Sequence, residues 1–221
     1  MNDRLAKGIG LAGVAYAALE IAGDLSIGAF PDSDTPIAKL VPFYAAHHAV
    51  IARGGLLLHW AALFLALFAA ALWLRLRDAG AHPVLAAAAL LGGAVAVADE
   101  LYGAGVYSTL GFLGAKESVI GPGALQAWHV SGAGGDLTTG DGGLAVLLLA
   151  VGVAGIATRA FPRWLAWTAL PLGVLQLTPL GFFAGMIFLL WAVAAGIRLA
   201  VGSADESAAS ALPAAEVAPG I

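Results

Sequence analysis

Stretches of about 20 apolar residues, each long enough to cross a membrane as a helix, recur along this chain. They fit residues 8–30, 49–74, 83–107, 128–158, 163–180 and 182–200. The composition agrees, because 11% of the residues are charged, against about 25% in a soluble domain. Only helices and closed barrels satisfy their backbone hydrogen bonds inside a membrane. The pattern predicts an all-α, polytopic transmembrane bundle of about six helices.

The bundle is expected to occupy residues 1–202 as a single transmembrane helical domain. Residues 203–221 lack core-forming side chains and predict a disordered tail. The first apolar stretch exceeds the about 7–15 apolar residues of a signal peptide, so we interpret it as a retained span. The absence of cysteine excludes disulfides and thiol catalysis, and a net charge of −4 without a basic cluster argues against nucleic acid as a partner.

Basic residues fall at alternate ends of the apolar stretches. The ones that share an end are Arg4, Lys7, Arg75, Arg77, Arg159, Arg163 and Arg198. Cytoplasmic loops carry an excess of Lys and Arg, so this end is predicted to be cytoplasmic. Both the N and C termini, including the tail, are then expected inside the cell.

Ionisable side chains interrupt the apolar stretches, mostly toward the end predicted to lie outside. They are Glu20, Asp24, His48, Arg53, His59, Asp99, Glu100, His129 and Asp136. A charged group at the membrane centre costs about 2.5–3.5 kcal/mol on insertion scales, so it is first interpreted as part of a functional site. The inner halves of the stretches are almost purely Ala, Leu and Val. We therefore expect an outward-facing polar cavity over an apolar floor.

Two pairs of carboxylates are the candidate catalytic groups. Glu20 and Asp24 stand four residues apart on one helix face, so their repulsion favours one of them holding a proton as a general acid. A structural alternative pairs one of the two with Arg53. Asp99 and Glu100 are adjacent and point about 100° apart on a helix, so one is expected to face the cavity and the other a partner helix.

Five further residues are predicted to contact a bound substrate. They are His59, Trp60, Tyr107, His129 and Asp136. For His59, a hydrogen bond to a neighbouring carbonyl is an equal alternative. His129 and Asp136 align if residues 128–143 are helical, and an external loop over the same residues is equally compatible. No H-x-x-x-H or E-x-x-H spacing is present, so no metal site is predicted and the cofactor stays unknown.

Three segments carry a resemblance to other proteins. They are Phe43-Tyr44-Ala45-Ala46-His47, Pro162-Arg163-Trp164-Leu165-Ala166-Trp167 and Leu189-Leu190-Trp191. These segments resemble a broad group of uncharacterised multi-pass membrane proteins of high-GC bacteria. The resemblance implies a multi-pass bundle in a bacterial plasma membrane, and it carries no activity to these residues.

Three functions fit the pattern of buried charge. The first is an acid–base enzyme of the isomerase or cyclase type, in which a protonated carboxyl acts on a lipophilic or isoprenoid substrate. The second is a proton- or cation-coupled carrier or sensor of a small molecule. The third is an accessory membrane subunit. Membrane lipids are expected partners in each case, and the residues leave all three open.

Overall fold

The computed structural model describes residues 8–114, 116, 120–138 and 142–211, with backbone alone at 133–138 and 202–211. The described residues form helices and no strands, which confirms the all-α fold. The helices are α1 (Ala12–Ile27), α2 (Ile37–Asp78), α3 (Pro83–Leu113), α4 (Pro122–Thr138), α5 (Gly142–Thr158), α6 (Arg163–Leu175) and α7 (Gly181–Ala211).

Four of these helices are long and apolar enough to cross a membrane. They are Gly8–Ile27, which contains α1, then Ile37–Asp78, Pro83–Leu113 and Gly181–Val201. The expected count of about six spans is not reproduced, because α5 has 17 residues and α6 has 13. The helix α7 continues to Ala211, into the segment expected to be a tail, and residues 212–221 lie outside the described residues.

Two helix boundaries differ from those expected from the sequence. The helix α2 begins at Ile37, twelve residues before residue 49, and its buried face carries Leu40, Tyr44 and Ile51 at helical spacing. At 42 residues it is about 63 Å long, twice the about 30 Å of a hydrocarbon core. The stretch 128–158 is divided between α4 and α5. Residues 128–138 are thus helical, as one of the two interpretations has it, and belong to a separate helix.

Six helices form a closed ring. Around it, α1 packs on α2, α2 on α3, α3 on α5, α5 on α6, α6 on α7, and α7 packs back on α1. Glycines permit the closest approaches: a β-carbon at Gly143 would overlap the backbone of Ala96, and one at Gly10 would overlap that of Ala200. The ring encloses an apolar core in which Phe68, Phe188 and Trp191 are buried.

The two ends of the ring differ in charge and in how far the individual helices extend. Five arginines lie at one end, which we call the arginine end: Arg75, Arg77, Arg159, Arg163 and Arg198. At the opposite end, α5 begins beside Ala96 of α3, whereas α3 continues to Leu113, about 25 Å further. The N-terminal part of α2 packs alongside this extension of α3. The helix α4 packs on this extension, where Leu125 joins the buried cluster of Leu40 and Leu110.

Candidate functional site

A cavity of about 450 Å³ lies within the ring, at the end opposite the arginines. Residues of α1, α2, α3, α4, α5 and α7 line it, together with the turn between α6 and α7. Small-molecule sites commonly measure about 300–1,000 Å³, so the volume suits a small ligand. The cavity reaches the protein surface, because its lining residues Asp24, Asp99 and Tyr102 are exposed.

The cavity exists because α5 and α6 are short. Gly92 and Ala96 of α3 face α5, since β-carbons at Gly92 and Gly143 would meet the opposite helix. Asp99 and Gly103 continue the same face of α3 at helical spacing, beyond the start of α5 at Gly142. The face of α3 that α5 covers at Gly92 and Ala96 therefore borders the cavity at Asp99 and Gly103, beyond the start of α5.

All four carboxylates expected to be catalytic line this one cavity: Glu20, Asp24, Asp99 and Glu100. Asp24 and Asp99 are exposed, and Glu20 and Glu100 are partly buried. The expectation that only one of Asp99 and Glu100 faces the cavity does not hold, because the cavity extends around α3 as far as Tyr107. The catalytic role of the four stays a prediction.

The lining is rich in acidic side chains. Among the described residues that line the cavity there is no lysine, arginine or histidine. Arg53, the alternative partner of Glu20 or Asp24, is exposed, and no ion pair of its guanidinium is found in the part of the chain that the structure describes. The described lining thus contributes four acidic side chains and no basic one.

Of the five residues expected to contact substrate, Tyr107 lines the cavity. His59 donates from Nδ1 to the Gly55 carbonyl at 2.7 Å, as the structural alternative has it, and Trp60 is 52% exposed. Neither lines the cavity, because Leu58 is the residue that α2 presents there and its successors point around the helix. The side chain of Asp136 lies outside the described residues.

His129 is buried away from the cavity, at the junction of α4 and α2. Its Nε2–H donates to the Asp32 carbonyl at 2.9 Å, so in the neutral ring Nδ1 accepts from the Tyr44 hydroxyl, also at 2.9 Å. The ring stacks on Phe30 with centroids 5.3 Å apart. These contacts pair both ring nitrogens, which explains why a histidine is fully buried here. They also hold α4 onto α2, so the role of His129 is structural.

Two lining residues lie outside the sets predicted to be catalytic or to contact substrate. Tyr16 is 3% exposed and lies four residues before Glu20, so the spacing of Tyr16, Glu20 and Asp24 on one face was a signal for it. Gln176 is 1% exposed and follows the end of α6. Its Nε2 has no hydrogen-bond partner among the described residues.

The floor of the cavity is apolar and closed. Leu144 and Leu189 line it together with Tyr16, whose ring lies 6.0 Å from that of Phe188. Below them Trp191 stacks on Phe188 at 5.9 Å and donates from Nε1 to the Leu165 carbonyl at 3.0 Å. The packed core thus separates the cavity from the arginine end.

The described residues contain no group of three or more His, Asp or Glu side chains arranged to hold a metal ion. The described lining of the cavity offers carboxylates, tyrosine hydroxyls, one buried amide and aromatic rings. No protein-family model matches the chain, and neither a curated protein nor a solved structure matches it.

Proposed function

We propose that the protein resides in a bacterial plasma membrane and binds a small organic cation in a cavity that opens on the non-cytoplasmic side. The observation that carries the proposal is the convergence of four carboxylates on one cavity whose described lining holds no basic side chain. The arginine end lies opposite the cavity, and the excess of positive charge in cytoplasmic loops supports the outward orientation.

Electrostatics favours a cation in this cavity over a neutral or anionic ligand. A unit charge about 4 Å from a carboxylate gains about 4 kcal/mol at an effective dielectric constant of about 20, before desolvation is subtracted. The rings of Tyr102, Tyr107 and Phe182 border the same space, and a cation over an aromatic face gains about 0.5–1 kcal/mol at exposed sites. A cation with an apolar surface uses both features, whereas a bare metal ion uses only the first.

The closed floor of the cavity supports binding of the cation without its transport through the protein. A carrier needs a route from the cavity to the arginine end, and the aromatic packing of Phe68, Phe188 and Trp191 occupies that region. A sensor or binding protein needs only the outward cavity. The cation-linked sensor is therefore favoured over the carrier.

An acid–base enzyme acting on a lipophilic substrate is the second candidate. One carboxylate oxygen of Glu20 is fully enclosed by the protein, beside the buried ring of Tyr16 in the same lining. A carboxyl group in such surroundings suits a general acid that donates a proton to an alkene or carbonyl. Conversion of an isoprenoid by the purified protein, lost in Glu20→Gln, would favour this candidate over a sensor.

Calorimetry on protein in lipid nanodiscs tests the proposal. Choline and its neutral carbon isostere dimethylbutanol differ in charge and little in shape, so choline should bind and the alcohol should not. Asp24→Asn and Asp99→Asn should each weaken choline binding by about 2- to 5-fold, since exposed ion pairs contribute up to about 1 kcal/mol.

The matched control is Asp78→Asn, which removes an exposed carboxylate at the arginine end and should leave choline binding unchanged. High salt should weaken binding as well, because the Debye length falls to about 3 Å at 1 M. Equal affinity for choline and the neutral alcohol, or equal loss in the control variant, would refute the proposal.

A further inference from the structure

We infer that the cavity also opens sideways, between α1 and α7, and that its ligand is an amphiphilic cation whose hydrocarbon chain leaves through this opening. This ligand class rests on the proposed function and narrows it to an ammonium group that carries a long alkyl chain. The contact between α1 and α7, which we call the seam, changes along the two helices in a way that produces the opening.

The seam is closed at the arginine end. A β-carbon at Gly10 would lie 2.6 Å from the backbone nitrogen of Ala200. One at Gly13 would lie 2.6 Å from the carbonyl oxygen of Ala192, and one at Gly196 would lie 2.8 Å from that of Gly10. Such close approaches leave no space for a ligand between the helices at this level.

The same face of α7 borders the cavity at the other end of the seam. Gly185 stands seven residues before Ala192, and Leu189 stands seven residues before Gly196, so the four share one helix face. Gly185 and Leu189 line the cavity, and a β-carbon at Gly185 would meet nothing within 4 Å. The seam, closed at Ala192, is therefore open at Gly185.

The matching face of α1 carries two of the four carboxylates. Glu20 and Asp24 stand seven and eleven residues after Gly13, which packs on α7, and both of them line the cavity. The open part of the seam thus has acidic side chains along its α1 side.

The rim of the opening reaches the outer surface of the ring. Phe182 and Met186 line the cavity and are exposed as well. Leu190 lies on the same face, four residues after Met186, is 71% exposed and does not line the cavity, so this face points away from the ring. Across the seam, Ile21 and Leu25 of α1 are exposed. Apolar side chains therefore border the opening on both sides.

In a membrane, the opening faces acyl chains. The two helices belong to the candidate spans Gly8–Ile27 and Gly181–Val201. Met186 is five residues from the start of its span and Asp24 three residues from the end of its own, which places them about 8 Å and 5 Å below the outer ends. A cationic group beside Asp24 would lie close to the membrane surface, and a chain attached to it would reach lipid through the seam.

An amphiphilic cation matches both sides of the seam. Carboxylates attract its ammonium group, and the apolar rim suits its hydrocarbon chain. A neutral lipid would use only the rim, and a small polar cation would use only the carboxylates. The ligand that uses both is an alkylammonium compound.

Photolabelling of the protein in nanodiscs tests the route of the chain. The probe is dodecyltrimethylammonium with a diazirine in the middle of its chain, and choline competes for the site of its cationic group. Labelling of the seam at Ile21, Leu25, Phe182 and Met186 should be lost when choline is added in excess. Labelling of Trp167, an exposed side chain of α6 outside the cavity lining, should not respond to choline.

A neutral probe and a pair of variants provide the controls. The all-carbon analogue of the probe, in which carbon replaces the ammonium nitrogen, should give no labelling that choline suppresses. Gly185→Leu should narrow the seam and lower the choline-sensitive labelling by about 5-fold or more. Gly105→Leu should leave it unchanged, because a β-carbon at Gly105 also meets nothing within 4 Å and Gly105 does not line the cavity.

The outcomes separate the sideways opening from the proposed function. Choline-sensitive labels confined to Tyr102 and Ser131, labelling that choline does not displace, or full labelling in Gly185→Leu overturns the sideways opening. Choline-sensitive labelling of the seam by the neutral probe overturns the cationic class of the amphiphile. In each of these cases, choline binding in the calorimetric assay leaves the proposed function standing. Absence of binding by both choline and the charged probe overturns the proposed function and the inference with it.

Discussion

Replacing Tyr44 with phenylalanine should loosen α4, the helix whose Ser131 and Gly132 border the cavity. The substitution removes only the hydroxyl that donates to Nδ1 of His129. Both side chains are 0% exposed, so no water reaches the vacated acceptor. Tyr102→Phe is the matched variant, because its hydroxyl also bonds α4, through Ser131 at 2.7 Å, while the tyrosine is 61% exposed.

The magnitudes follow from this difference in burial. A buried acceptor left without a donor costs about 1–3 kcal/mol, so Tyr44→Phe should lower the free energy of opening α4 by that amount. The population of the open state then rises by about 5- to 150-fold. Water replaces the lost partner at an exposed site, so Tyr102→Phe should stay within about 0.5 kcal/mol of the wild type.

Hydrogen exchange measures this local opening, since amides exchange through partial unfolding as well as global unfolding. Peptides from α4 should exchange faster in Tyr44→Phe than in Tyr102→Phe, while peptides from the ring core around Trp191 should be unaffected. Equal acceleration in the two variants, or faster exchange only in the core, would refute the structural role given to His129.

Two further predictions use glycines in matched pairs. An added β-carbon meets nothing within 4 Å at Gly103, which lines the cavity, or at Gly105, which does not. Gly103→Leu should therefore abolish choline binding in the calorimetric assay, while Gly105→Leu should retain it. A β-carbon at Gly143 would overlap the backbone of Ala96, whereas one at Gly142 meets nothing within 4 Å. Thermal unfolding should show Gly143→Ala destabilised by about 1–3 kcal/mol relative to Gly142→Ala, and equal stability would contradict the close α3–α5 packing.

The all-α fold and the meeting of the carboxylates could both be anticipated from the sequence. Depth along an apolar helix is a local quantity, so Glu20, Asp24, Asp99 and Glu100 could be placed at similar heights before their neighbours were known. Once the helices form one ring, charged groups at one height avoid lipid by facing the same interior space. This reasoning needs no knowledge of which helices are adjacent.

The direction in which a side chain points around its helix was harder to predict than its depth along the helix. His59 and Trp60 have suitable depth, yet Leu58 is the residue of α2 that lines the cavity, and that choice depends on how α1 and α3 pack against α2. The burial of His129 depends on Tyr44, which is 85 residues away in the chain, and on Asp32. Contacts across such separations are set by tertiary packing, which hydropathy does not encode.

The short helices explain why the polar residues collect where they do. A helix of 17 residues spans about 26 Å and one of 13 residues about 20 Å, both less than a hydrocarbon core of about 30 Å. Within a membrane, each such helix would leave backbone groups at its end in the hydrocarbon layer, where protein or a polar cavity must satisfy them.

The C-terminal end of α6 carries the negative end of its dipole and the N-terminal end of α5 the positive end. Because α5 begins beside Ala96, its positive end lies about one turn from Asp99 and Glu100 and offsets part of their mutual repulsion. The negative end of α6 lies beside Gln176 and favours a positive group in the cavity. Paired half-helix ends are also how many transporters build their substrate sites. Shortening α5 and α6 therefore creates both the space and the need for polar groups in one step.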